Sequence, residues 1–241
     1  MAAAGLVAAR IAALDWDGIG AALDEAGVAG LGPLLAPEEC QALAALYDRE
    51  DPSPFRSRVV MARHGFGRGE YRYFAAPLPE AVQALREALY PRLVPVANRW
   101  HAALGLPTRF PESHTEFLAR CRAAGQSKPT PLLLRYGPGD HNCLHQDLYG
   151  EHAFPLQAVF LLSEPGAEFT GGEFVLTEQR PRMQSRAEVV PLRLGEGAVF
   201  AVHHRPVQGT RGPYRVTMRH GVSRVRSGRR HTLGVIFHDA A

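Results

Sequence analysis

Residues 132–147 read Leu-Leu-Leu-Arg-Tyr-Gly-Pro-Gly-Asp-His-Asn-Cys-Leu-His-Gln-Asp, and the last three carry the most chemistry in the chain. In an extended strand residues i and i+2 face the same way, so His145 and Asp147 present an imidazole and a carboxylate side by side. Those are two ligands of a metal site. A lone His-x-Asp is common on polar surfaces, so a third ligand is needed. His220 is the candidate, far enough downstream for a distant strand to return beside the first pair. Two histidines and one carboxylate on one face leave coordination positions open, the arrangement suited to non-haem Fe(II) that activates oxygen. Zinc would need a fourth donor or water at a tetrahedral site, and His141 or Cys143 could supply one. His203 and His204 rival His220, but no basic strand follows them at a comparable spacing.

Arg230 lies downstream of His220, at the head of an otherwise apolar run with Leu233, Val235 and Phe237. A dicarboxylate such as 2-oxoglutarate chelates iron through its 2-oxo acid end. Its far carboxylate then wants a bidentate, permanently charged partner. Arg230 is placed for that role, and the plainer alternative is a strand-edge arginine clustered with Arg229.

The elements that must position these residues change in texture near residue 126. Upstream the chain reads helical. Pro37-Glu-Glu39 opens a helix with Cys40, Leu43, Ala44 and Tyr47 on its apolar face. A second helix opens at Pro79 and runs through Val82, Leu85 and Leu89, with Pro91 and Pro95 expected to kink or break it before Trp100. Ser113-His-Thr-Glu116 is a capping box, and Gly125 is the matching stop. Trp16 and Trp100 read as helix-packing residues and Cys143 as a small buried hydrophobe. Downstream, short β-like runs at 131–136, 141–147, 154–162, 172–177, 189–194, 198–203, 214–219 and 230–237 alternate with Gly- and Pro-bearing turns. The expectation is an α+β protein: a mainly helical region, 1–125, packed on a C-terminal double-stranded β-helix, or jelly roll, at 126–241. Residues 52–76, mixing arginine with Phe66, Tyr71, Tyr73 and Phe74, read as a mobile, substrate-facing loop.

Composition narrows the class. With 241 residues, 46% hydrophobic and 21% charged, disorder, collagen and a disulfide miniprotein are excluded as whole-chain descriptions. Three unrelated cysteines form neither a disulfide framework nor a CxxC pair. No run approaches a bilayer span, and the Ala-rich start lacks the parts of a secretory leader, so a cytoplasmic protein without a membrane partner is expected. Between Arg180 and Arg230 there are 12 Arg and 2 Glu, which points to an anion near the C-terminal half. Serine hydrolase chemistry has no G-x-S-x-G support, and Gly65-Phe-Gly-Arg-Gly69 lacks the sequel of a phosphate-binding loop.

Arg135-Tyr-Gly-Pro-Gly139 before His145-Gln-Asp147, followed by His220 and Arg230-His-Thr-Leu233, resembles the Fe(II)/2-oxoglutarate dioxygenase superfamily. The first segment is close to the AlkB type. That likeness implies that Tyr136 contacts 2-oxoglutarate, while the asparagine expected two positions earlier is Leu134 here. Phe169-Thr-Gly-Gly-Glu-Phe174 and the His220 to Arg230 spacing are instead similar to the prolyl-hydroxylase branch. Taken whole, with Leu144-His-Gln-Asp-Leu-Tyr-Gly150, Glu178–Ser185 and Ile236-Phe-His-Asp239, the chain resembles a bacterial oxygenase group predicted to repair alkylated nucleic acid.

The resemblance implies Fe(II) held by His145, Asp147 and His220, and 2-oxoglutarate held by Arg230 and Tyr136. It further implies O2 as cosubstrate, ascorbate as an accessory reductant, and release of succinate and CO2 as a C–H bond is hydroxylated. The implied substrate is an alkylated base in unpaired DNA or RNA, with a protein or peptide hydroxylase as the alternative. Arg63, Tyr71 and Tyr73 could stack a base and pair its phosphates, and Arg180 and Arg182 could bind substrate near the mouth of the barrel. The alkyl group and the oligomeric state are left open by the sequence.

Overall fold

The computed structural model describes residues 2–51 and 53–241. Two antiparallel sheets face each other across a shared apolar interior, where the ring centroids of Phe174 and Phe200 lie 5.0 Å apart. The larger sheet has the spatial order Val28–Pro33, Glu196–Ala201, Leu156–Leu161, Arg230–Ile236, Leu132–Tyr136, Glu70–Phe74 and Phe55–Val60. The smaller runs Arg186–Val190, Phe174–Gln179, Gly212–Val222, His141–His145 and Gly67–Arg68. From Leu132 onward the chain passes back and forth between the two, which is the expected double-stranded β-helix.

Leu156–Leu161 and Arg230–Ile236 are buried at every position. Central strands covered on both faces read as continuous rather than alternating apolar runs. The outer cover comes from the helix Glu80–Ala103. Buried Arg86 on that helix donates to the Ile236 carbonyl at 2.9 Å and to Asp239 Oδ1 at 2.7 Å, tying it to the end of the central strand. An aromatic cluster of Tyr90, Phe117, Phe154 and Phe237 welds the same helix and His114–Ala123 to the sheet. The Ser113 cap is present, with its Oγ accepting from the Glu116 amide, and Gly125 takes φ +81° just beyond the end.

Several expectations are revised. Pro91 and Pro95 do not divide the helix, which runs unbroken from Glu80 to Ala103. Both prolines are exposed and stand one turn apart on the water-facing side, where the carbonyls that lose their amide partners can be hydrated. Residues 53–76 are not a loop. Phe55–Val60 and Glu70–Phe74 form a hairpin that extends the larger sheet, with Tyr71 opposite Leu134 and Tyr73 opposite Leu132. The charges that make the segment look like a loop lie on its outer face. There Arg58 and Arg135 both pair with Glu70, and the Arg72 guanidinium sits 4.7 Å over the Tyr47 ring. Pro52, the first residue of that expected loop, lies outside the described residues. Val28–Pro33 is likewise a strand, so residues before 126 supply three strands of the larger sheet besides the helices. The run expected at 189–194 forms at Arg186–Val190 instead. An additional strand, His204–Gly209, pairs with the first half of Gly212–Val222, tolerating Pro206 because it is an edge.

Candidate metal centre and cosubstrate pocket

The register of two strands assembles the ligands. His220 lies directly opposite His145, and their ring centroids are 4.2 Å apart. The strand carrying His145 ends there, so Asp147 reaches the site from the following loop rather than from a continuing strand. Its Oδ2 stands 3.3 Å from His220 Nε2 and its Oδ1 3.6 Å from His145 Nε2. One ligand atom from each of the three residues fits within 4.8 Å of the others, and no fourth protein donor joins this group among the described residues.

The loop is fixed from both sides. Gln126 Nε2 donates to the Tyr149 carbonyl at 2.8 Å and to the Asp239 carbonyl at 2.6 Å, and its Oε1 accepts from the His152 amide at 2.8 Å. Tyr73 Oη donates to Tyr149 Oη at 3.1 Å, which in turn donates to Asp147 Oδ1 at 2.8 Å. Nδ1–H of His145 donates to the Cys143 carbonyl at 2.8 Å, so the Nε2 lone pair faces the site. Burial raises the Asp147 carboxyl, but His220, His145 and the Tyr149 hydroxyl outweigh it and hold the group well below the usual carboxylate range. Burial and the neighbouring His145 push the His220 imidazole down, although Asp147 pulls it up. An ionised carboxylate and neutral imidazoles are the forms that bind a metal. The donor set therefore fits Fe(II).

Arg230 lies opposite Tyr136 on the facing sheet. It is 2% exposed, its Nε has no hydrogen-bond partner among the described residues, and its Nη1 donates to Thr232 Oγ1 at 3.4 Å. Aromatic rings flank the guanidinium, Tyr136 at 5.6 Å and Phe169 at 5.8 Å. Burial brings its pKa down to about 10, against the charges of Tyr136 and Glu173, so it remains a cation at neutral pH. A buried cation that pairs with no Asp or Glu among the described residues calls for an anionic ligand. Gly172, at φ +67°, makes the space, since a Cβ there would lie 2.9 Å from Arg230 Cδ. One cavity of about 350 Å³ between the sheets contains all three metal ligands together with Tyr136 and Arg230.

Residues 69–240 match the Oxygenase-NA family, described as an oxygenase catalysing oxidative methylation of damaged DNA. The chain belongs to this oxygenase family. It is similar to the Mycobacterium tuberculosis proteins Rv2227 and MT2286, each 51% identical over 168 residues that cover 70% of this chain and 72% of the relative. Among solved structures it is similar to a Pseudomonas putida prolyl-4-hydroxylase (16% identity, TM-score 0.54, 94% of this chain and 99% of the other). A 2OG-Fe(II) oxygenase family oxidoreductase from Burkholderia pseudomallei is similar at 18% identity and TM-score 0.54, over 95% and 94% of the two chains. These two likenesses show the shared fold. Membership of an oxygenase family, together with the His-Asp-His group, implies Fe(II), 2-oxoglutarate and O2.

In this oxygenase Tyr71 and Tyr73 line the cavity, whereas Arg63, Arg180 and Arg182 do not. Arg63 is exposed on the single turn Met61–Arg63. Arg180 is committed to Glu178, its Nε donating to Oε1 at 2.7 Å, and Arg182 is exposed in a hairpin turn at φ +64°. Cys143 is exposed rather than buried, because its strand borders the cavity instead of the core. His203 and His204 lie against each other, ring centroids 3.4 Å apart, outside the metal group. Sequence reasoning gave no role to Tyr149 and Gln126, which hold the Asp147 loop, or to Gln157, which also lines the cavity. Tyr149 had a signal, being two positions beyond Asp147, but Gln126 and Gln157 had none.

Proposed function

We propose that this oxygenase uses Fe(II) and 2-oxoglutarate to remove alkyl groups from damaged bases in unpaired nucleic acid. The observation that carries the reaction class is one cavity holding a two-histidine, one-carboxylate group and a buried arginine with no carboxylate partner. The family description, which concerns damaged DNA, supports the substrate. When bound, the iron and cosubstrate would supply the oxidation with O2 as the oxidant: one oxygen atom goes to 2-oxoglutarate, giving succinate and CO2, and the other turns a substrate C–H bond into C–OH.

The chain's own residues do the rest. His145, Asp147 and His220 would hold the metal from one side, leaving the cavity side open. Arg230 would hold the far carboxylate of the cosubstrate, and Tyr136 beside it closes that end. Tyr149 occupies Asp147 Oδ1 and leaves Oδ2 for the metal. Tyr71 and Tyr73, edge to face at 5.3 Å, form an aromatic wall against which a flat base can pack. A cavity of about 350 Å³ suits one base beside the cosubstrate, not a duplex, so the base must leave its stack. Hydroxylation of an N-methyl carbon gives a hemiaminal, which releases formaldehyde and restores the base.

The test is succinate and formaldehyde release with methylated single-stranded oligonucleotides, in parallel with proline-containing peptides. Equimolar formaldehyde and succinate with the oligonucleotides is expected. Succinate stimulated only by peptides would replace this substrate with a protein one.

A further inference from the structure

Gln157 lies on the central strand Leu156–Leu161, and its side chain lines the same cavity. The residue is 4% exposed, and its Oε1 has no hydrogen-bond partner among the described residues. Buried polar atoms in folded chains are nearly always satisfied, so an unmet acceptor on a side chain that lines a cavity marks where a donor from a ligand belongs.

Its position separates it from the cosubstrate. Across the sheet Gln157 pairs with Ile236, at the opposite end of that strand from Arg230, roughly 20 Å away at about 3.4 Å per residue. A five-carbon diacid anchored on Arg230 does not extend that far. On its other side Gln157 pairs with Phe200, whose ring centroid is 4.7 Å from that of His220. Gln157 therefore lies at the end of the cavity away from Arg230, next to the phenylalanine that packs on His220. Of the phenols that line the cavity with it, Tyr73 is committed to Tyr149 and Tyr149 to Asp147, whereas Tyr136, whose hydroxyl has no partner among the described residues, stands beside Arg230 at the cosubstrate end. The Gln157 oxygen is left free to read a substrate.

We propose that Gln157 is a specificity-determining residue that accepts a hydrogen bond from the exocyclic amino group of the alkylated base. This rests on the dealkylase reading above and sharpens it. N3-methylcytosine and N1-methyladenine carry an amino group next to the methylated nitrogen, whereas N3-methylthymine has carbonyl oxygens on both sides. A buried acceptor favours the first two and is left unpaired, facing another oxygen, by the third.

The test measures equilibrium binding by fluorescence anisotropy, anaerobically, with the full chain loaded with Fe(II) and 2-oxoglutarate. The probes are short single-stranded DNAs carrying one N3-methylcytosine, one N3-methylthymine or no modification. The wild type should bind the methylcytosine probe at least about tenfold more tightly than the methylthymine probe. Gln157→Met, of similar volume without the acceptor, should bring that ratio to within about threefold. Should Gln157→Met fail to fold, Gln157→Asn, which withdraws the oxygen by one methylene, must lower the ratio as well. A ratio unchanged by the substitution, or absent from the wild type, overturns the role of Gln157 alone. Failure to prefer either methylated probe over the unmodified one overturns the dealkylase reading, and this inference with it.

Discussion

Replacing Arg230 by methionine separates a binding arginine from a structural one, because the two roles change stability in opposite directions. The guanidinium is buried, with its Nε unpartnered and no Asp or Glu paired with it among the described residues. An uncompensated buried charge destabilises a fold, and an apolar side chain of similar length in its place is neutral or stabilising. The Tm of ligand-free Arg230→Met is therefore expected to equal or exceed that of the wild type. Cosubstrate binding goes the other way. Removing one partner of a buried pair leaves the 2-oxoglutarate carboxylate unpaired, a loss of about 3–5 kcal/mol, which is roughly two to three and a half orders of magnitude in Kd. Calorimetric titration of 2-oxoglutarate into the anaerobic Fe(II) protein reads that loss. Thermal melts with and without 2-oxoglutarate should show the ligand-induced rise in Tm disappear in the variant. A variant that melts several degrees lower while binding 2-oxoglutarate like the wild type would refute the reasoning and make Arg230 a packing residue.

Three further outcomes follow from the same contacts. Tyr149→Phe removes the donor to Asp147 Oδ1, and metal affinity should fall by about 10–100-fold in a Co(II) titration with the fold intact. Gly172→Ala puts a Cβ 2.9 Å from Arg230 Cδ at a backbone φ of +67°, so it should cost about 1–3 kcal/mol in urea unfolding and raise the KM for 2-oxoglutarate. Acid should unfold the protein through its buried histidines: burial pushes His114 down to about 3, and His231 and His238 to about 4. A depressed histidine contributes stability that is whole above the unfolded value near ~6.5 and erodes as pH falls toward the folded value. Each of the three should remove about 1.4 kcal/mol per pH unit between ~6 and ~4.5, visible as a falling urea midpoint, and a midpoint flat over that window would contradict the assignment.

Much of the candidate site was legible before any fold. The His145-x-Asp147 spacing, the downstream His220 and the cation leading an apolar strand are all local facts of residue type and period. The eight expected runs after residue 126 nearly all became strands, because alternation and turn residues act over short distances. The segment at 53–76 misled for a related reason. Its arginines alternate with aromatics, and without knowing that one face meets the outer ion pairs and the other the cavity, a strand cannot be told from a polar loop.

The tertiary structure decided what register and long-range packing control. His220 reaches Asp147 only because it stands opposite His145, and a slip of one residue would turn it to the other face. Gln126 clamps the Asp147 loop, and Glu178 claims Arg180, through contacts that no periodicity announces. The free oxygen of Gln157 and the Arg230 guanidinium without a carboxylate partner among the described residues exist only as differences between what a buried group requires and what the folded chain supplies. Residue type and spacing determine which chemistry is available, whereas burial and pairing, which depend on the whole fold, decide which groups are spent on structure and which remain for a ligand.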